Sequence, residues 1–289
     1  MIIEHAAGAQ PLPVERLCFL LGLSRSYYYK CVNTSRRALE AEAEAWLDRL
    51  LCRIEEIILE FPGYGYRRVT AQLNREGWGV NRKRISALMQ AHGLSCRPRK
   101  RWVATTDSEH GLKVYPNLLP QQEVTGLDQL WVSDLTYIRL PQGFCYLAVV
   151  LDAYSRKAIG WELSIWLDAA VAVTALERAL ESRRPGPGLV HHSDRGVQYA
   201  CREYVELLQA AGCEISMSRK GCPRDNAQAE SFFRTLKMEE VYIQDYQDVD
   251  EARASIEHFI DAVYNRKRLH SSLGYVPPEE YEDSIRTNR

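Results

Sequence analysis

No apolar run in this chain reaches the roughly 18 residues of a membrane-helix candidate. The best local stretch, Leu17 to Leu23, is short and follows Glu15 and Arg16. The N-terminus lacks a basic, apolar, cleavable signal, so a cytoplasmic protein is the expectation. Also missing is any Cys-x-x-Cys pair: eight cysteines stand at 18, 31, 52, 96, 145, 201, 213 and 222. That spacing supports neither a zinc site nor a disulfide framework and leaves buried free thiols as the expectation. Net charge is close to zero, at −1 over 289 residues, and so names no nucleic-acid partner. What remains is ordinary globular composition, 46 % hydrophobic and 26 % charged, which excludes disorder and collagen. The length suits about two domains.

The distribution of charge says more than its sum. Residues 1–62 hold 7 Lys+Arg against 9 Asp+Glu, net −2. Residues 63–101 hold 10 against one, Glu76, net +9; residues 102–289 hold 20 against 28, net −8. A basic segment beside an acidic remainder is the electrostatic footprint of a nucleic-acid contact. A solvated helical face is the plain alternative.

Residues 13–31 read as two short helices around a turn. Pro13 suits a helix start, Leu17, Leu20 and Leu21 share one face, Gly22 ends it, and Ser24 caps the next. Residues 1–36 are therefore expected to form a helix-turn-helix-like segment, and 37–61 a connector helix with Leu47, Leu50, Leu51, Ile54, Ile57 and Ile58 at helical spacing. Residues 62–105 repeat the theme with better chemistry. A helix from Arg67 to Glu76 buries Val69 and Leu73 and stops before Gly77-Trp78-Gly79. Asn81 then caps a helix with Arg82, Lys83 and Arg84 in its first turn, against the dipole preference for acids there. A local rule broken without evident gain points to function, and this first turn is the part of a recognition helix that meets DNA. Arg67, Arg68, and the linker residues Arg97, Arg99, Lys100 and Arg101 complete the DNA-binding candidates, before a linker at 106–126.

Residues 127–289 alternate strands and helices. Strands are expected at 130–140, 144–151, 157–163, 188–192 and 214–217, with helices at 168–182, 199–211, 226–240 and 250–264. Three antiparallel strands, then helix-strand-helix-strand-helix, is the order of a ribonuclease H-like α/β core with a mixed five-stranded sheet and C-terminal helices. The whole chain is thus an α/β catalytic core preceded by all-α helix-turn-helix segments.

Three acids lie at telling places in that order. Asp134 is inside the first strand, where alternation puts it on one face with Val132 and Thr136. Asp194 ends the fourth strand, and ligands in α/β sheets gather at carboxyl ends of strands. Glu230 lies a turn into a helix opened by Asp225 and Gln228, which suit a capping box; Asn226, Arg234 and Lys237 share its face. Carboxylates without a Cys/His set favour Mg2+ or Mn2+, two ions per active site. Each acid also has a plain structural reading: a strand polar residue, an Asx-turn residue, a solvated helix charge. Asp152 is a rival ligand, though its tight turn favours backbone capping. His191 and His192 read as strand supports rather than zinc ligands. The basic loop Arg219–Arg224 is expected to be mobile until DNA orders it.

The 35 residues between Asp194 and Glu230, with Asp134 upstream, resemble the D,D(35)E signature of retroviral integrases and related transposases. The surrounding words are more specific. Trp131–Tyr137, His192–Tyr199, Asp225–Phe233, Tyr264-Asn265-Arg266 with Arg268–Tyr275, and Gly65–Val69 look like the OrfB-type transposase of the insertion-sequence family numbered three. The resemblance implies that Asp134, Asp194 and Glu230 bind the catalytic metals and that Lys237 lies against DNA. It implies action on double-stranded DNA, at terminal inverted repeats and target, by nicking and 3′-OH strand transfer, with a homo-oligomer on DNA. It also implies an OrfA partner or a frameshift fusion with one. This chain opens on Met1 without a clear leucine-zipper run, so the OrfA parts are expected to be missing here. Two other functions stay open: a metal-dependent nuclease of the same fold without joining, and a non-catalytic DNA-binding regulator.

Overall fold

A computed structural model of the chain describes residues 12–94 and 112–287. They form two compact units, one ending at Glu56 and the other running from Ile57. In the first unit, α1 (Val14–Leu20) ends at Gly22, whose φ of +65° is cheap only without a Cβ. Ser24 Oγ then accepts from Tyr27 N at 3.1 Å and opens α2 (Arg25–Glu60). Here the sequence reading needs correction. The second helix does not stop near 31, because no Gly or Pro lies between Arg25 and Glu60. The expected boundary between 1–36 and 37–61 falls inside one unbroken helix.

The second unit begins with a helix-turn-helix made by α3 (Tyr66–Arg75) and α4 (Arg82–Ala91). Val69, Leu73, Val80, Ile85 and Met89 are buried between them and the rest of the unit. Its turn is closed by Asn74, which accepts from Val80 N at 2.7 Å and donates to Val80 O at 3.1 Å.

Five strands follow in one sheet: β1 (Leu130–Leu140), β2 (Gly143–Asp152), β3 (Ala158–Ser164), β4 (Val190–Ser193) and β5 (Glu214–Met217). Their order is β3-β2-β1-β4-β5, with the first three antiparallel and β4 and β5 parallel to β1. Alternation sorts their side chains onto two faces. Trp131, Ala148, Val150 and Ile159 pack with α5 (Ala169–Arg183), α6 (Val197–Ala200) and α7 (Arg202–Ala210). Gly160 lets α5 close in: a Cβ there would lie 2.3 Å from Ala175 O. One helix was expected over 199–211, but extended backbone at Cys201 splits it.

The other sheet face, with Val132, Leu147, Val149 and Leu151, packs on α8 (Ala227–Leu236) and α9 (Val249–His258). Both helices run on into π-helical turns, Lys237–Val241 and Phe259–Tyr264, where plain helix was expected. The chain ends in α10 (Pro278–Thr287). Cys18 and Cys145 are buried, whereas Cys31 and Cys52 are exposed, so the expectation of buried thiols fails on α2.

A buried ion pair joins the segment after Tyr264 to the π-helical turn after α8. Arg268 donates from Nε and Nη2 to the two Glu239 oxygens at 2.8 Å, and each side chain is 4 % exposed. Gly63 abuts that pair so closely that a Cβ would lie 2.2 Å from Glu239 Oε1. Tyr64 OH accepts from Leu269 N at 2.7 Å, and Arg68 Nε donates to Leu269 O at 3.0 Å. Arg75 adds a two-pronged contact to Glu280.

Arg268→Ala leaves a buried carboxylate unpaired and is expected to cost about 3–5 kcal/mol of stability. Arg268→Met combined with Glu239→Leu should regain most of that loss, because no charge is left stranded. Denaturant unfolding of both variants checks this; equal losses would mean that packing, and not the pair, decides.

Candidate active site

The β1–β4 pairing brings two of the three acids together. It matches Leu130 with Val190, Trp131 with His191 and Val132 with His192. Asp134 lies two residues past Val132 on β1, and alternation puts it on the face covered by α8. Asp194 follows directly after β4, which ends at Ser193. Asp194 Oδ1 accepts from Gly196 N at 2.8 Å, which turns the chain sharply after the strand.

The third acid arrives on α8. Asn226, just before that helix, is buried and donates from Nδ2 to Ser133 O at 2.9 Å, beside Asp134. This bond spans 93 residues, so no local spacing announces it, although Asn226 shares the Glu230 face. The expected capping box is not formed. Asp225 instead accepts from Arg219 N, Nε and Nη2 at 2.9–3.0 Å, and from Asn117 Nδ2 at 2.9 Å. The Arg219 bonds hold its carboxyl well below the usual range. Glu230 itself is exposed.

Electrostatics registers the convergence. Asp134 is half-buried, and its carboxyl is pushed up to about 8, first by burial and next by the charge of Asp194. The Leu135 N–H, 2.8 Å from Oδ1, pulls the other way, and Glu230 adds a smaller push. Lys237 lies on this side too: Nζ is 4.8 Å from the Tyr137 ring centre, and Asp134 favours its charge against burial. Among the described residues, no three His, Cys, Asp or Glu side chains stand close enough to hold a metal ion. Asp194 and Glu230 both act on Asp134 through their charge without closing a three-ligand set.

Asp152 is no competitor. Its carboxylate accepts from Asp128 N, Tyr154 N, Ser155 N and Ser155 Oγ at 2.7–3.0 Å, so its oxygens are spent on the turn. The two histidines brace strands. His191 Nε2 is 2.9 Å from Ser133 Oγ and 3.0 Å from Tyr204 OH; His192 bonds Ser216 and Ser218 at 2.8 and 3.0 Å. Burial pushes them down to about 3 and 4, so both are neutral at pH 7.

The basic candidates divide. Arg67, Arg82, Lys83 and Arg84 are exposed, the last three in the first turn of α4 behind the Asn81 cap, whose Oδ1 accepts from Lys83 N at 2.8 Å. Arg68 is half-buried, and its Nε donates to Leu269 O inside the unit. Arg97, Arg99, Lys100 and Arg101 lie outside the described residues.

Comparison with known proteins agrees with this layout. Family models described as integrase core domain match residues 125–223 and 211–278, and one described as HTH-like domain matches 46–102. The transposase InsF of insertion sequence IS3A from Escherichia coli K12 is 34 % identical over 272 residues, 93 % of this chain and 94 % of that protein. An uncharacterized 31 kDa protein of insertion element IS600 from Shigella sonnei is 36 % identical over 271 residues, 92 % and 97 % of the two chains. Among solved structures, the catalytic core domain of BIV integrase aligns with 56 % of this chain and 98 % of its own, at 19 % identity and a TM-score of 0.43.

His191 supplies a pH prediction. Its folded value near 3 lies below the 6.5 of a free imidazole, so in that window only the unfolded chain takes up the proton. Stability should fall as pH drops from 6.5 towards 3, by up to about 1.4 kcal/mol per pH unit for this group. Unfolding measured between pH 7 and 5 should show a shallower slope in His191→Gln than in wild type; unchanged slopes would contradict it.

Proposed function

This chain belongs to the transposase family of the IS3-type insertion sequences, and we propose that it cuts and joins DNA at a site made by Asp134, Asp194 and Glu230. It is a DNA transposase with an integrase-type core, hence a polynucleotidyl transferase. The observation that supports the residue assignment is the electrostatic convergence at Asp134, whose carboxyl is raised by burial and by the charges of Asp194 and Glu230.

The donor set fits a hard divalent cation, since all three side chains offer oxygen only and the charges of Asp194 and Glu230 both act on Asp134. Asp134, shared between two ions, with Asp194 and Glu230 would hold Mg2+ or Mn2+. Bound there, such ions supply activation of an attacking water or 3′-OH and charge stabilisation on the leaving oxygen. The chain's own residues do the rest. Asn226 fixes the start of α8 against β1 and so sets where Glu230 can reach. Lys237, beside Asp134, offers a cation to a DNA phosphate at the reacting end. Arg67, Arg82, Lys83 and Arg84 bind the backbone of the element's terminal repeats, offsetting the acidic charge of the core. The substrate is double-stranded DNA, both element end and target, handled by a homo-oligomer with an OrfA-type partner.

Glu230→Gln keeps shape and helix propensity while removing one anionic ligand. Cleavage and 3′-end joining should both collapse, with end-DNA binding within a few-fold of wild type. Asp134→Asn and Asp194→Asn should behave alike, and a triple variant should be no worse than the singles, because one metal pair is served. Joining near wild type in any single variant removes that residue from the site; cleavage without joining in the wild type would make the protein a nuclease.

Replacing Arg82, Lys83 and Arg84 together by Ala should weaken end binding and lower the log–log salt slope by roughly 2.7, for three lost phosphate contacts. A salt-titrated binding assay that returns the wild-type slope would exclude α4 from the interface.

A further inference from the structure

Away from the three acids, a small cavity of about 100 Å³ opens between α3, the turn after β2, the far side of α8 and the segment after Tyr264. Arg68, Arg156 and Arg268 all line it, and no Asp or Glu does. Arg268 is neutralised by Glu239. Arg68 spends its one side-chain bond on a carbonyl, and Arg156 has no ion pair among the described residues. Asp152, the acid nearest in effect to Arg156, has its oxygens committed to its own turn. Two cationic charges are thus left facing a polar hollow.

Neutral groups there are also left without partners. His270 is nine-tenths buried, and its Nε2 has no hydrogen-bond partner. The Tyr264 ring meets the imidazole edge-on, 4.8 Å between centres, which fixes its orientation. Burial and then the three arginines push His270 down to about 2, so it is a neutral ring able to donate from Nε2. Gln228 Oε1 is equally unpartnered, and half a turn of that amide presents its NH2 to the same space. Arg156 itself holds φ +66°, an uncommon conformation for a side-chain-bearing residue. Buried polar groups normally find partners, so several orphans around one cationic hollow mark a ligand.

We propose that this cavity binds one phosphate group, gripped by Arg68 and Arg156 with His270 as a neutral donor. Guanidinium forks match phosphate oxygens, and the absence of a lining carboxylate removes the usual competitor. The hollow has room for one tetrahedral oxyanion and none for a base. Phosphate seated here would link α3, the sheet and α8, the helix that carries Glu230 on another face. The same chemistry could come from a DNA backbone or terminal phosphate, or from free phosphate.

The test titrates inorganic phosphate into the full chain, free of divalent metal, by calorimetry, for wild type and Arg156→Gly. Glycine suits φ +66°, so the variant should fold, which circular dichroism checks. The expected result is one saturable site in wild type, weakened about tenfold or more in Arg156→Gly. A duplex oligonucleotide arm separates the sources. If phosphate competes with duplex in wild type and Arg156→Gly binds duplex more weakly, the ligand is a DNA phosphate; if duplex affinity is unmoved, it is free phosphate. No saturable binding, or equal phosphate affinity in the folded variant, would overturn the proposal and leave the cavity to water.

Discussion

Asp134 on β1 and Asp194 just past the end of β4 repel each other, and that repulsion, added to the burial of Asp134, is the constraint on which the site depends. Burial first and the Asp194 charge second push the Asp134 carboxyl up to about 8. The sheet cannot relieve the conflict by slipping, because a one-residue shift would carry Val132, Leu147 and their partners to the wrong face. Relief has to come from positive charge brought in from outside the sheet. Lys237 gives part of it. Oxygen donors in this arrangement suit a divalent cation for the remainder.

Rigidity around the pair is built from neutral groups. His191, Ser133 and Tyr204 form one buried cluster behind β1, and His192 with Ser216 and Ser218 ties β4 to β5. Keeping both imidazoles uncharged avoids adding cations that would compete with metal at the carboxylates. Further off, the Tyr64 and Arg68 bonds to Leu269 fasten the helix-turn-helix to the segment after Tyr264, where Arg268 pairs with Glu239.

Much of this was legible in the sequence, for reasons that can be named. Period-two alternation located β1 and put Asp134 on the face of Val132. The Gly77-Trp78-Gly79 break with the Asn81 cap marked the helix-turn-helix. Boundaries that depend on distant contacts were not legible. Nothing in residues 25–60 says where a helix of good formers should end, and the π-helical turns after α8 and α9 leave no periodic trace. Asp225 misled. Its local setting suits helix capping, but a partner far along the chain, Asn117, and one across the loop, Arg219, claim it instead. The spacing of Asp194 and Glu230 could be read, whereas the Asn226–Ser133 bond that aims Glu230 could not.

The account stands or falls on where a divalent cation goes. Anomalous diffraction from crystals of the protein soaked in Mn2+ answers this most directly. Density at about 2.0–2.2 Å from carboxylate oxygens of Asp134 and Asp194, with Glu230 drawn in as a further ligand, is the predicted result. Manganese bound at Asp152 or elsewhere, with the Asp134–Asp194 pair left bare, would contradict it.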